Sequence, residues 1–127
     1  MDYFKLLEGH IEEKNEIMGR LCNLEGFWIE FLYRFKDEDD TFKRLQSAVA
    51  DGDPELIMEY LHMFKGVVLN LGFSKLSELT ANLLRVTRLG SFDSHLFACL
   101  EREYDAVISK LSLAEEARQA DAHSAFL

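Results

Sequence analysis

One histidine in this sequence stands where an imidazole can do chemistry on a partner. His62 is followed by Lys65 three residues on and Gly66 four residues on. Residues at those spacings are neighbours on a helix surface. An exposed imidazole is a good nucleophile near neutral pH, because much of it is uncharged there. A lysine one turn away reaches anionic oxygens carried by the ring. A glycine one turn away leaves that turn bare, so another molecule can come close. Glycine also costs about 1 kcal/mol of helix stability relative to alanine, so its position beside the histidine asks for a reason. The plain alternative is a solvated imidazole, a surface charge and a packing gap.

These residues need a helix that buries one face and offers the other to water. Asp53-Pro54-Glu55 reads as its start: an N-cap, a proline at the first helical position and an acid at the positive end of the dipole. The helix is predicted to run to about Asn70 and to end near Gly72. On a period of 3.6, Ile57, Tyr60, Leu61, Phe64, Val68 and Leu71 form one apolar side. Glu55, Glu59, His62, Gly66 and Asn70 fall on the other, with Lys65 at its flank.

The rest of the chain is helical in pattern, and no segment alternates like a strand. Asp2 to Glu8 is a short amphipathic start that Gly9 interrupts, followed by a segment from Ile11 to about Cys22. Asn23 to Gly26 reads as a turn. A helix is expected from about Phe27 to Ala50, with Trp28, Phe31, Leu32, Phe35, Phe42, Leu45 and Val49 as its seam. Its acidic run, Lys36-Asp37-Glu38-Asp39-Asp40, is expected to form a solvated bend, with a docking surface as the alternative. Ser74 is the expected N-cap of a helix to about Leu89, with Leu76, Leu79, Leu83 and Val86 inward. The last helix is expected from Phe92 to about Leu111, with residues 112–127 as an extension or a frayed tail. The prediction is all-α: an antiparallel up-down four-helix bundle, about residues 9–111, with a short additional N-terminal helical segment, in a single domain spanning 1–127.

Composition narrows the function classes. The chain has 127 residues, of which 48% are hydrophobic and 29% charged, which suits one folded domain. A net charge of −9 argues against nucleic acid and anionic membranes as partners. No uncharged run approaches a membrane span, and a cytoplasmic location is expected. Cys22 and Cys99 lack metal-ligand spacing and are expected to be buried free thiols. The pattern contains no phosphate-binding glycine loop, zinc-protease motif or nucleophile elbow. The ten phenylalanines and one tryptophan read as core. His10 and His123 read as surface residues and His95 as a helix-end residue.

His62-x-x-Lys65-Gly66, then Leu71-Gly72, then a helix carrying Leu76, Leu79 and Leu83, resembles the histidine-containing phosphotransfer (HPt) domain family. Ala50-Asp51-Gly52-Asp53 also resembles the family's turn before its histidine helix. The resemblance covers roughly residues 9–111, and several spaced residues in one helical context carry it. It implies a phosphorelay intermediate without an ATP site, and so not an autonomous enzyme. His62 would accept a phosphoryl group on Nε2, Lys65 would pair with its oxygens, and Gly66 would admit the partner. Donor and acceptor would be aspartates of response-regulator receiver domains, with a hybrid histidine kinase as a further partner. The Mg²⁺ would belong to the receiver; this chain is expected to bind no cofactor or metal. Met63 and Val67 are candidate docking contacts, and Arg85 and Arg88 candidate phosphate contacts. A monomer is expected, and the initial Met with a full set of helices suggests a stand-alone protein.

Three positions depart from that family's pattern. Leu61 precedes the histidine and Val67 follows the Lys-Gly pair, where small or polar residues are usual. Leu84 stands where many members carry a Gln or Glu that holds the other ring nitrogen. These departures motivate a second reading: a non-phosphorylated HPt-like adaptor that binds a histidine kinase or response regulator. A generic helical adaptor for an unrelated partner is the third.

Overall fold

A computed structural model describes the backbone of residues 1–124 and the side chains of residues 1–122. The described residues form seven helices in the order α1 (Tyr3–Leu6), α2 (Lys14–Arg20), α3 (Glu25–Asp37), α4 (Thr41–Asp51), α5 (Pro54–Leu71), α6 (Ser74–Arg88) and α7 (Ser94–Ser124). None of the described residues is in a strand. The described residues are all-α, as the pattern predicts.

Helix α5 sits at the centre of the packing, against α4 on one side and α6 on the other. Its ends are set by local chemistry. The Asp53 side chain accepts hydrogen bonds from the Glu55 and Leu56 amides, and Pro54 occupies the first turn. Gly72 closes the helix in the left-handed conformation, φ 84°. It also has to be small: an added Cβ would sit 2.6 Å from Ile17 Cγ1. Helix α2 therefore packs directly on the end of α5.

The expected single helix over 27–50 is two helices. The break falls at Glu38–Asp40, in the acidic run, as the predicted bend. Adjacent like charges disfavour a continuous helix there. The Asp39 carboxylate then accepts the Thr41 amide at 2.9 Å and helps start α4. Lys36 spans α3 and α7 by binding Asp37 and Glu115; those hydrogen bonds, Asp37's foremost, hold its ammonium above the usual lysine range.

The core is rich in aromatic residues, but not every phenylalanine joins it: Phe27 is 54% exposed. Phe42 stacks on Tyr104 at 4.1 Å and meets Phe64 at 5.0 Å, joining α4, α7 and α5. Phe35 contacts Phe73 at 5.2 Å. Trp28 is fully buried, and its Nε1–H donates to the Leu71 carbonyl at 2.9 Å. That bond satisfies one of the acceptors left over at the end of α5.

Several sequence expectations need correction. Phe31 lies on the expected seam but is 39% exposed, because it faces an open groove between α3 and α5. The turn before α3 ends at Leu24; Gly26 already belongs to the helix. The left-handed residues there are Cys22 and Asn23. Cys22 is exposed for that reason, and Cys99 is half-buried, so neither thiol is buried. Ser74 is the first residue of α6 and does not cap it. Phe73 occupies the cap position with its ring fully buried, and its carbonyl accepts both the amide and the hydroxyl of Ser77. His10 is not a surface residue: it bonds the buried Glu103 at 2.7 Å. Helix α7 starts on an Asp93 cap and continues past Leu111 to Ser124, which is the extension and not the frayed tail of the two alternatives over the described part of 112–127. It extends there because Ala114 packs inward and Arg118 lies over the Tyr33 ring. Residues 125–127 of the expected extension or tail, and the His123 side chain, lie outside the described residues.

Candidate functional site

The middle turns of α5 carry the candidate residues. Ile57, Leu61, Phe64, Val68 and Leu71 are buried, and they fix the rotation of the helix. Glu55, Glu59, His62, Gly66 and Asn70 are thereby turned to solvent. The inward and outward positions fall as the 3.6-residue period requires, except that Tyr60, expected inward, is only half-buried at one edge. Lys65 is half-buried at the other.

His62, Lys65 and Gly66 therefore share one solvent-facing strip of a well-anchored helix. No hydrogen bond or ion pair among the described residues engages the His62 ring or the Lys65 ammonium. Both are unencumbered for an incoming anion. Gly66 is more informative. A Cβ placed on it would meet nothing within 4 Å. Packing inside this chain gives no reason for a glycine there. The space it leaves is open to the outside.

Of the candidate docking residues, Met63 is 47% exposed and Val67 is half-buried. Both lie on the side of the strip that faces α3. Val67 also lines the groove against Phe31 and Phe35, an open cavity of about 720 Å³. Arg20 and Arg34 edge the same groove. Each is engaged by an acid, Arg20 with Glu12 at 2.7 Å and Arg34 with Glu30 at 2.9 Å. These are exposed pairs of small energetic weight. Phe31, Arg20 and Arg34 were not legible as site residues. They line the groove beside Val67 because α2 and α3 pack near the end of α5, and no local sequence spacing encodes that packing.

Arg85 and Arg88 are exposed in the last turn of α6. No ion pair or hydrogen bond among the described residues joins either to α5. Leu84 is only 2% exposed and belongs to the core. The position that would carry a ring-orienting carboxamide or carboxylate thus carries packing. His95 is exposed at the start of α7, as expected. No group of three or more potential metal-binding residues occurs among the described residues. No helix among them is long and apolar enough to cross a membrane.

What the strip can do chemically is limited and definite. It offers a nucleophilic nitrogen and a cation at one-turn spacing on one exposed face of α5. Such a surface can take or give a small anionic group, provided a partner brings the rest of the catalytic machinery. Comparison of the sequence and fold with protein-family profiles, curated proteins and solved structures gives no match.

Proposed function

We propose that this protein is a histidine phosphotransfer protein of a two-component phosphorelay. Its His62 would carry a phosphoryl group between receiver-domain aspartates. The observation that carries the reading is Gly66: a glycine in mid-helix, one turn from an exposed histidine, that nothing inside the chain requires. Gly19 in α2 and Gly26 in α3 have equally open surroundings, so it is the place of Gly66 one turn from His62 that gives its helix cost a use, the close approach of a partner to the ring. In this reading α3–α4, α5, α6 and α7 are the members of an antiparallel four-helix bundle, with α1 and α2 covering one end. The protein would be a cytoplasmic monomer and not an autonomous enzyme.

The transfer itself is simple. His62 Nε2 attacks the phosphorus of an aspartyl phosphate. The P–N bond forms as the P–O bond breaks, and the aspartate leaves as carboxylate. Lys65 neutralises phosphoryl oxygens on the histidine side. A Mg²⁺ held by the receiver supplies the remaining charge stabilisation. The Met63–Val67 side of the strip and the groove beyond it would seat the receiver's apolar surface.

The test is transfer from a panel of phosphorylated receiver domains. An acid-labile label on this protein is the expected result. One specific observation favours the adaptor reading instead: Leu84 is buried in the core, so it supplies no polar group to the ring. Receiver binding that survives His62→Gln, with no label on the native protein, would move the assignment there. Gly66→Ala separates partner access from stability. It is expected to raise folding stability by about 0.5–1 kcal/mol and to slow transfer from the cognate receiver. Urea denaturation and the transfer assay on the same sample measure the two effects.

A further inference from the structure

Three large apolar side chains along α3 are turned away from the core. Leu24, at its start, and Phe27 and Phe31 within it are 49%, 54% and 39% exposed, at the spacing of one helix face. Phe31 lines the open groove from one side and Val67 of α5 from the other. Met63, one turn back along α5, is also exposed. Apolar side chains exposed singly are ordinary, whereas a continuous stripe beside an apolar groove is a contact surface. A partner centred on His62 does not account for the whole stripe. Trp28 meets Leu71 and Phe35 meets Phe64, so α3 runs antiparallel to α5. Phe27 therefore lies beside the end of α5, about 15 Å along the helix from His62.

The groove is charged in a definite order. Arg20 lines it where α3 begins, Arg34 follows beyond Phe31, and Glu38 and Asp39 line it where α3 stops. Glu30 stands one turn before Arg34 and pairs with it at 2.9 Å, both side chains being more than half exposed. Such a pair has little energetic weight, so little is lost when it changes partner. A groove that is basic at one end and acidic at the other is complementary to itself turned end for end.

We propose that the stripe and the groove form a two-fold interface between two copies of this chain. An axis passing at Phe31 lays the two α3 helices antiparallel, each against the groove of the other copy. Counted from that axis, Phe27 falls level with Phe35 of the other copy, where Met63 and Val67 receive its ring. Arg34 falls level with Trp28, within one turn of the other copy's Phe27 and Glu30: a ring for the face of its guanidinium and a carboxylate for its edge. Glu38 falls level with Leu24, at the end that Arg20 lines. Each of these charges thus meets its opposite. The net charge of −9 opposes pairing at long range, and salt screens that repulsion. The contact is small, so the pair is weak, with a dissociation constant on the order of 100 µM. Pairing covers the Met63 side of the His62 strip. On the phosphotransfer reading the pair is therefore a resting form and the monomer is the form that meets a receiver; the pairing itself does not rest on that reading.

Sedimentation equilibrium of the full chain from about 5 µM to about 1 mM, in about 150 mM salt, tests the pairing with no receiver present. The weight-average mass is expected to rise from the 14.7 kDa of one chain toward twice that value. Arg34→Glu and Glu30→Arg each set like charges together at two symmetry-related contacts. Each variant alone is expected to associate about ten-fold more weakly than the native chain. Mixed in equal amounts, the two restore opposite charges at both contacts and are expected to pair with close to native affinity. Both positions are exposed, so neither change touches the core. Phe27→Ser is expected to weaken pairing at least about ten-fold, since one substitution removes a ring from both halves of the contact. A native chain that keeps the monomer mass up to the highest concentration leaves the stripe to another occupant and overturns the proposal. So does a pairing that persists unchanged in Phe27→Ser, or one that the mixture of the two charge variants fails to restore.

Discussion

His62→Gln is expected to abolish acid-labile labelling by phosphorylated receivers while leaving the helical circular dichroism and the unfolding midpoint unchanged. The side chain is exposed and unbonded, so folding stability should move by no more than about 0.5 kcal/mol. Glutamine keeps the size and polarity of the position and removes the nucleophilic ring. Loss of label with an intact fold assigns the nucleophile. Retained label would assign it to another histidine and sink the role given to His62.

Lys65→Gln should be graded where His62→Gln is absolute. Lys65 is half-buried and no hydrogen bond or ion pair among the described residues engages its ammonium, so the charge is free to meet a phosphoryl group brought by a partner. A hydrogen bond to a charged group contributes about 1.5–3 kcal/mol, with the lower end apt for a site open to water. Transfer is expected to slow about tenfold, and Lys65→Arg to recover most of that. Single-turnover rates from one phosphorylated receiver measure both. Equal rates for all three proteins would mean that the receiver alone neutralises the phosphoryl oxygens.

Much of α5 was legible because its signals are local. The Asp53 cap, the proline after it, the terminal Gly72 and the 3.6-residue spacing of five buried apolar residues each act within one helix. They place His62, Lys65 and Gly66 on one strip without reference to the rest of the molecule. What could not be read depends on long-range packing. Phe31 fits the apolar period of α3 but meets a groove, because α5 does not close against it. His10 looks like any polar residue after a glycine. It is sheltered because it hydrogen-bonds the buried Glu103, ninety-three positions away in the chain. Cys22 sits among apolar neighbours, yet a left-handed turn carries it outward. The Leu84 position shows the limit of motif reading. A leucine there satisfies the period of α6, and its burial shows that the period decides its environment.

Trp28→Ala is expected to be the most damaging single change to the fold, lowering stability by about 3–5 kcal/mol. A small domain has only about 5–15 kcal/mol in all, so this one change removes a large fraction of the stability. Two losses combine. The cavity opens under Phe4, whose ring stacks on the indole, so the N-terminal segment loses its platform. The Leu71 carbonyl, at the end of α5, loses the Nε1–H that satisfies it. Trp28→Phe separates them: it keeps most of the packing and removes only the hydrogen bond, at about 1–3 kcal/mol. Urea unfolding followed by circular dichroism measures both, since neither variant retains the fluorophore. The functional corollary discriminates further. His62 lies nine residues from Leu71, about 13 Å along α5, and its burial pattern is fixed by Leu61, Phe64 and Val68. Trp28→Phe should therefore transfer phosphate at the native rate once corrected for the folded fraction. A rate that falls further would mean that the end of α5 helps to hold the strip, and that the groove beside Leu71 takes part in seating the partner.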